Sequence, residues 1–325
     1  MADSGHTGNS AGASGKGSGL AMPSALARVA AAVGGIEVVG RLAELSGSDF
    51  TSLMLEVARR RAAGQTPASV LRRYRSDRFV SPAGTSWHDL RRAEDVLAGN
   101  LPEKFEVLTL APLAPLGTHS VLGPVSQDKL VTCMRACEVA ADPTNALALE
   151  AAVRRLADQR GAVRLAAFQR VVRAPLVVRS GSLSHFSLLG LVTAGRDDGG
   201  HRFEREAVTE HLGIMAAGLA AAGLAPAQLA LTPLSATGEG IAEAVRSEFD
   251  RAGTEVVMDR ERQAGRGYYR DLCFKIEVRG EGTSHELGDG GFTDWAARLT
   301  ASNKERLLIS GLGIDRLAWL MAGHA

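Results

Sequence analysis

The stretch that decides the fold is Ser310-Gly311-Leu312-Gly313-Ile314-Asp315-Arg316-Leu317. Small residues come immediately before a predicted helix whose first turn carries a single arginine. The glycines leave the backbone unhindered, and an arginine near a helix N-terminus places one cation beside free backbone N–H groups. Both features suit a bound polyphosphate, so this stretch predicts an ATP site.

Two segments precede this stretch. The first, Gly265-Arg266-Gly267-Tyr268-Tyr269, leads into an alternating run at Phe274, Ile276 and Val278, which predicts a strand with one buried face. The second, Gly290-Gly291-Phe292-Thr293-Asp294, predicts a turn. The C-terminal part of the chain is therefore predicted to form a strand, a glycine-rich turn and a helix that carries the arginine.

The overall composition fits an enzyme and excludes several other classes of protein. A chain of 325 residues with 45% hydrophobic content can bury a full core. Lys plus Arg number 37 and Asp plus Glu number 36, so the net charge of +1 gives no overall field that would attract nucleic acid or an anionic membrane. A dedicated nucleic-acid binder is therefore not expected.

Cysteine and histidine usage points to a reducing compartment. The three cysteines match neither a disulfide framework nor paired zinc ligands, and the eight histidines are scattered, so no metal site is predicted. No apolar run approaches the ~20 residues that span a bilayer. The Gly/Ser-rich start lacks the blocks of a signal peptide. We expect a soluble cytoplasmic protein without a membrane segment.

The N-terminal third is predicted to be helical after a disordered Gly/Ser-rich tail at residues 1–20. Residues 21–100 form a predicted helical domain, in which Ser48 caps one helix and Thr66-Pro67 opens the next. This domain has a basic face with Arg72, Arg73 and Arg75. The face is either an ordinary solvated surface or a docking site for an acidic partner.

Residues 101–325 are predicted to be a mixed α/β domain. A helix opens at Asp142-Pro143, and two long alternating runs at 163–174 and 185–194 predict an antiparallel hairpin. The remaining elements are predicted as follows: strands at 105–110, 130–135, 228–232 and 254–258, and helices at 204–223 and 238–251. The connections lack a regular βαβ rhythm, so we predict an α+β fold, a mostly antiparallel sheet flanked by helices, rather than a doubly wound parallel sheet.

From about Pro102 to its end, the chain resembles the catalytic domain of histidyl-tRNA synthetase, a class II aminoacyl-tRNA synthetase. There, a strand with paired tyrosines, a Gly-Gly-Xaa-Xaa-Asp turn and a glycine-flanked arginine occur in the same order. The resemblance implies a class II synthetase-like fold, binding of ATP and Mg²⁺, and a homodimer. Its first motif matches a strand at Phe105–Leu108 that leads to Pro112 or Pro115.

The resemblance also assigns ATP contacts. Arg173 would neutralise the α-phosphate, and Phe186 would stack on the adenine ring. Gly311 and Gly313 would line the nucleotide, and Arg316 would hold the γ-phosphate. Arg173 and Arg316 are therefore the predicted catalytic residues.

Seven residues are predicted substrate contacts, and for some of them a structural interpretation stays open. In the family, an acidic residue and a threonine hold the substrate's α-amino group, and the equivalents here are Asp142 and Thr144. Asp before Pro is also a common helix N-cap pair. The other predicted contacts are Arg266, which would replace the family's arginine at Ala264, together with Tyr268, Tyr269, Gly290 and Gly291.

Several positions depart from the family pattern. The second motif's glutamate is replaced by Pro175, and the arginine and glutamate before Phe186 are replaced by Ser184 and His185. The residues that read histidine are replaced by Leu188, Val192 and Thr293. A buried imidazole without partners would cost ~1–3 kcal/mol per group. We therefore expect a substrate that is less polar than histidine.

The function that this resemblance implies is activation of an amino acid or related carboxylate as an acyl-adenylate. The sequence ends nine residues after Arg316, where the family continues into an anticodon-binding domain. We therefore expect transfer to a carrier protein or a small amine and not to tRNA. One alternative is a non-catalytic regulator, similar to the regulatory subunit of ATP phosphoribosyltransferase. Another is a chance match, which predicts that Arg173 and Arg316 lie far apart.

Overall fold

The computed structural model describes residues 24–174, 183–224, 227–252, 254–280 and 283–323. The predicted tail at 1–20 and the residue Pro175 lie outside this part of the chain. Contacts divide the chain after Arg59, and the two parts are described separately. The domain limits predicted from the sequence, 21–100 and 101–325, stay a prediction.

Three helices begin the described chain: α1 Ser24–Ala32, α2 Glu37–Glu44 and α3 Gly47–Ala63. The predicted cap at Ser48 is wrong. The helix α3 starts at Gly47, and Ser46 Oγ accepts the backbone N–H of Asp49 at 3.2 Å. Two serines precede this helix, and apolar spacing alone does not show which of them caps it.

The larger part of the chain contains the other eight described helices. They are α4 Pro67–Ser76, α5 Trp87–Gly99, α6 Thr118–Leu122, α7 Pro143–Ala157, α8 Arg202–Ala221, α9 Ala236–Arg251, α10 Trp295–Thr300 and α11 Ile314–Met321. The predicted starts at Thr66-Pro67 and Asp142-Pro143 are confirmed. None of the described helices is both long enough and apolar enough to cross a membrane.

An eight-stranded sheet with the order β1-β5-β6-β11-β10-β9-β7-β8 forms the centre of this part. Its strands are β1 Glu106–Val107, β5 Val163–Val172, β6 His185–Arg196, β7 Ala227–Pro233, β8 Val256–Met258, β9 Arg270–Gly280, β10 Thr283–Thr293 and β11 Glu305–Gly313. A second sheet consists of β2 Leu113–Pro115, β3 Thr132–Cys133 and β4 Cys137–Val139. Only the outer pairs of the large sheet, β1–β5 and β7–β8, are parallel. The predicted mostly antiparallel sheet flanked by helices, and the hairpin β5–β6, are confirmed. The predicted link at 179–182 in that hairpin lies outside the described residues.

Two sequence predictions differ from the observed strands. The strands predicted at 105–110 and 130–135 shrink to two-residue pairings. The turn predicted at 290–294 is wrong, because β10 continues through Gly290 and Gly291 to Thr293. Glycine is a turn signal in sequence, but it also occurs in strands where neighbouring side chains leave no room for a Cβ.

Helices cover both faces of the sheet. One face packs against α5, α8, α9 and α11, with Phe274, Leu308 and Met215 in its core. The other face packs against α7 and α10 around Leu147 and Trp295. Burial on both faces explains why β6 is apolar along most of its length instead of alternating.

A buried ion pair fixes the first residue of β11. Arg155 of α7 donates to Glu305 from Nε at 2.8 Å and from Nη2 at 3.1 Å, and both side chains are almost fully buried. Arg196 of β6 adds a third donor at 2.6 Å. Burial would raise the pKa of Glu305, but these hydrogen bonds outweigh burial and hold its pKa below the usual value. The pair therefore ties α7, β6 and β11 together.

Candidate functional site

Four predicted site residues lie at or just beyond the same end of three adjacent strands. Arg173 directly follows β5, and Phe186 lies at the start of β6, which pairs with the end of β5. Gly313 ends β11, the next strand in the sheet, and Arg316 lies in the first turn of α11 that follows it. A chance match gives no reason for this common location.

Arg173 is held by the backbone and by a carboxylate. Its Nε donates to the carbonyl of Ala141 at 2.9 Å, and its Nη2 donates to Asp142 Oδ2 at 3.1 Å. The guanidinium lies 5.1 Å from the centre of the Phe186 ring. This distance suits a cation–π contact. The side chain stays 46% exposed, so the cation is oriented but accessible.

Asp142 is the N-cap of α7, which confirms the structural interpretation of the Asp-Pro pair. Its Oδ1 accepts the backbone N–H of Thr144 at 2.9 Å and the Thr144 hydroxyl at 2.7 Å. Its Oδ2 remains directed at Arg173. Capping therefore orients this carboxylate at the edge of the site, and its predicted contact with a substrate amine stays a prediction.

A buried network that the sequence analysis missed supports Arg173 from behind. Glu138 is fully buried and lies 2.6 Å from His119 Nδ1, and its pKa is lowered because hydrogen bonds outweigh burial. His119 Nε2 in turn accepts the backbone N–H of Ala141 at 3.1 Å. These residues hold the backbone of Ala141 through its N–H, and the carbonyl of the same residue orients Arg173. No motif connects His119 with Glu138, so only the fold shows this network.

A second set of polar residues lies around Asp289 on β10. Tyr269 donates its hydroxyl to Asp289 Oδ2 at 3.1 Å, and Arg262 Nη2 lies 3.4 Å from the same oxygen. The Asp289 side chain keeps 41% of its surface exposed, and burial of the remainder raises its pKa. Tyr268 packs edge-on against Tyr269 and Trp295. Both tyrosines are therefore mostly packed, with one hydroxyl directed at a carboxylate.

Arg262 is a candidate site residue that the sequence analysis did not select. Its side chain is only 6% exposed, and its Nη1 is buried with no hydrogen-bond partner among the described residues. By contrast, Arg266, the predicted substrate contact, is exposed and donates to the carbonyls of Arg262 and Arg260 at 2.9 and 3.1 Å. The signal for Arg262 was its position two residues before Ala264, where the family's arginine would lie.

The glycines of the site serve two different purposes. A Cβ at Gly290 would lie 2.5 Å from Phe274 Cζ and 2.5 Å from Ser310 Cβ, and one at Gly291 would lie 2.6 Å from Tyr269. These two glycines are required by close packing. At Gly311 the nearest atom would be 3.9 Å away.

Gly313 has similar room, because the nearest atom to a Cβ would be 3.5 Å away. Gly311 and Gly313 are both partly exposed. They therefore present open backbone that nothing in the packing demands, which fits a flat ligand such as a nucleotide.

The start of α11 is held in place by hydrogen bonds to Asp315. Asp315 is buried, and its oxygens accept the backbone N–H of Ser187 at 2.6 Å and the hydroxyl of Thr85 at 2.9 Å. Arg316 is exposed and donates to the carbonyl of Glu286. Asp315 therefore has a structural role, whereas Arg316 extends over the site.

Two carboxylates that suit Mg²⁺ lie on the neighbouring strands β9 and β10. Glu277 of β9 and Glu286 of β10 are cross-strand partners. Lys275 pairs with Glu277 at 2.9 Å and stands opposite Asp289. Mg²⁺ is commonly held by one or two carboxylates together with substrate phosphates, so Glu277 and Glu286 fit that need.

Three of the positions that depart from the family pattern have different surroundings. Leu188 packs with Val171 beside Phe186, so it adds apolar surface to the site. Val192 is completely buried under α7 and does not line the site. The Thr293 hydroxyl is buried with no partner among the described residues.

Comparison with known proteins identifies the fold. No protein-family model and no curated protein sequence matches the chain. A Bacillus halodurans structure described as an ATP phosphoribosyltransferase regulatory subunit/histidyl-tRNA synthetase is similar with a TM-score of 0.60 and 15% identity, over 74% of this chain and 82% of that chain. Staphylococcus aureus histidyl-tRNA synthetase is similar with a TM-score of 0.57 and 15% identity, over 75% and 70%. Pyrrolysyl-tRNA synthetase from Desulfitobacterium hafniense is similar with a TM-score of 0.50 and 14% identity, over 78% and 74%. The chain thus has a class II aminoacyl-tRNA synthetase-like fold, as the sequence predicts.

The two kinds of glycine should respond differently to alanine. Gly290→Ala should lower the free energy of unfolding by about 1–3 kcal/mol, because the new methyl group would overlap Phe274 and Ser310. Gly311→Ala should change it by less than about 0.5 kcal/mol, as is usual where no packing is disturbed. Urea unfolding of the two variants tests this. Similar losses in both would contradict the assignment of Gly311 to an open surface.

Proposed function

We propose that this protein activates a small carboxylic acid with ATP, forming an acyl-adenylate and releasing pyrophosphate. The observation that supports this most directly is the common location of Arg173, Phe186 and Arg316 beside the open backbone of Gly311 and Gly313. An aromatic face, two accessible cations and a backbone without side chains are what a nucleotide triphosphate needs.

In this proposal the adenine stacks on Phe186, and the phosphates extend between Arg173 and Arg316. Arg173 already contacts Asp142, but both side chains are partly exposed, at 46% and 27%. Exposed pairs of this kind contribute about 0–1 kcal/mol. An α-phosphate can therefore share or replace this contact at little cost.

The reaction needs little covalent help from the protein. A carboxylate oxygen of the substrate attacks the α-phosphorus, a new P–O bond forms, and the bond from that phosphorus to the bridging oxygen breaks. Pyrophosphate leaves with the electron pair. Arg173 stabilises the charge that develops on the α-phosphate, and Arg316 holds the leaving group. Mg²⁺ would be held by the phosphates with Glu277 and Glu286, and would supply further charge neutralisation.

Polar groups on both sides suit an amino acid or a related acid as substrate. Asp142, held by Thr144, offers a negative charge to an ammonium group. On the other side, Asp289, which Arg262 contacts at 3.4 Å, can hydrogen-bond a substrate group. Leu188 adds an apolar contact that disfavours histidine.

Two partners complete the proposal. An open depression of about 590 Å³ is lined by residues of α4 and of the segment that follows it, including Arg72 and Arg73, which suits an acidic carrier protein that would receive the acyl group. A homodimer is proposed from the exposed apolar side chains of Val107 on β1 and of Val153 and Leu156 on α7, two elements joined by the ion pair of Glu106 with Arg154, because a second copy could cover them.

A non-catalytic regulatory protein is the second candidate, and one observation favours it. The Arg173 guanidinium is already paired with Asp142. A protein that binds no triphosphate would need this ion pair in order to satisfy both charges. The similar Bacillus halodurans structure carries both a regulatory and a synthetase description. The two candidates differ in whether ATP is consumed.

Exchange of labelled pyrophosphate into ATP separates the two candidates. Wild-type protein assayed with pools of amino acids and small carboxylic acids should show exchange with one pool. Arg316→Ala should reduce it about 10²–10³-fold, because it removes a charge that stabilises the transition state. Arg251→Ala, which changes an exposed arginine on α9, is the matched control and should leave exchange unchanged. Absence of exchange with every pool, in protein that binds ATP, would contradict the enzymatic proposal.

Reversal of Arg72, Arg73 and Arg75 to Glu should weaken binding of an acidic carrier protein at least tenfold, because attraction becomes repulsion. Binding can be measured with an acyl carrier protein as the probe, by fluorescence anisotropy at low salt. A variant with Arg28, Arg160 and Arg251 reversed has the same net charge and serves as the control. Equal affinity of the two variants would contradict this docking site.

A further inference from the structure

A cluster of potential metal ligands lies in the loop between β6 and α8 and in the first turn of α8, at the end of β6 opposite the candidate ATP site. Asp197, His201 and Glu204 each offer one ligand atom, and these atoms all lie within 4.8 Å of one another. The distance from His201 Nδ1 to Glu204 Oε1 is 3.6 Å. Two ligands that bind one ion at about 2.1 Å lie at most about 4.2 Å apart, so a small contraction of the loop would accommodate an ion.

Glu204 has one carboxylate oxygen that the described residues leave unsatisfied. Its side chain is only 7% exposed, and its Oε1 accepts Arg306 Nε at 3.0 Å. Its Oε2 is buried and has no hydrogen-bond partner among the described residues. A buried carboxylate oxygen without a partner is costly, and a bound cation would satisfy it.

The backbone directs His201 toward this carboxylate. His201 adopts a left-handed conformation, with φ of 58°, directly before α8 begins. Its imidazole is 49% exposed. His201 also lines a cleft of about 310 Å³ between this loop and α9, which gives an ion a path from solvent.

Asp197 is held in place by the same loop. Its Oδ2 accepts the backbone N–H of His201 at 3.1 Å, and its Oδ1 accepts that of Phe203 at 3.3 Å. Each carboxylate oxygen can accept more than one partner, so both remain able to bind an ion. The loop would therefore change little on binding.

Nearby cations set a limit on the affinity. Arg306 neutralises part of the Glu204 charge, and Arg205 lies at the exposed side of the loop, where it donates to the carbonyl of Gly200 at 2.8 Å. Two carboxylates against these arginines leave no large excess of negative charge. We therefore expect a dissociation constant on the order of micromolar.

We propose that Asp197, His201 and Glu204 form a binding site for a single Zn²⁺ ion. One imidazole and two carboxylates are ligands that Zn²⁺ accepts, with water at the fourth position. The site is distinct from the proposed ATP site and does not depend on it. A bound ion would tie the end of β6 to the first turn of α8.

This site was not predicted from the sequence, where the histidines appear scattered. Asp197 and Glu204 flank His201 at spacings of four and three residues, without the paired Cys or His of common zinc motifs. The ligands converge only because the chain reverses through Gly199 and Gly200, both with positive φ.

Titration with Zn²⁺ tests the proposal. Purified full-length protein, stripped with a chelator, is titrated with Zn²⁺ alone in an isothermal calorimeter. We expect one ion per chain with micromolar affinity. His201→Asn keeps a residue that tolerates the left-handed conformation, and Glu204→Gln keeps the side-chain shape. Each should weaken binding by at least about 10–100-fold, because even the loss of a group that only orients a metal ligand usually costs that much.

Two controls make the result specific. His88→Asn changes an exposed histidine on α5 and should bind Zn²⁺ like the wild type. Cys133→Ser/Cys137→Ser removes the paired thiols of β3 and β4 and should also bind normally. Far-UV circular dichroism of every variant should match that of the wild type.

Three outcomes would overturn the proposal. One is the absence of Zn²⁺ uptake by the wild type. Another is uptake that persists unchanged in both His201→Asn and Glu204→Gln. The last is uptake that disappears in the cysteine variant.

Discussion

The antiparallel pairing of β11 between β6 and β10 is the constraint on which the rest of the structure depends. Nine register positions join β11 to β6, and six join it to β10. The buried pair of Arg155 and Glu305 fixes one end of this strand, and Asp315 fixes the other. Because α11 follows without a loop, this register also sets the position of Arg316 relative to Phe186.

The parts of the fold that could be predicted from the sequence are those with a clear local pattern. Long elements with clear patterns, such as the hairpin β5–β6 and the helix that begins at Pro143, follow from local signals. From the sequence, a turn at Gly290 could not be distinguished from a strand. The close packing that requires a glycine there comes from Phe274 and Ser310, which contact it only in the sheet. The short strand β1 is held by pairing with the distant strand β5, β3 pairs only with its neighbour β4, and both have little local pattern.

Part of the candidate site could be predicted because some of its residues are adjacent in the sequence. Arg316 and its flanking glycines form a contiguous motif, so the sequence contains the signal. Arg262 was missed because an arginine's direction depends on the backbone, and the segment 260–266 contains three arginines. His119 and Glu138 were missed because a buried acid and base have no sequence signature until the fold brings α6 and β4 together.

The contact between Arg173 and Asp142 separates the two proposed functions. In an enzyme this contact orients the cation until a phosphate arrives, and in a regulator it simply satisfies two charges. The buried support from Glu138 and His119 through Ala141 favours the first interpretation, because it orients the guanidinium while leaving nearly half of it accessible. Such fixed positioning is typical of groups that stabilise a transition state.

A crystal structure with a non-hydrolysable ATP analogue and Mg²⁺ tests the central claim most directly. The account predicts the adenine on Phe186, the phosphates between Arg173 and Arg316, and the ribose or phosphates against Gly311 and Gly313. An analogue bound elsewhere, or no bound analogue at saturating concentration with this surface accessible in the crystal, would contradict the account.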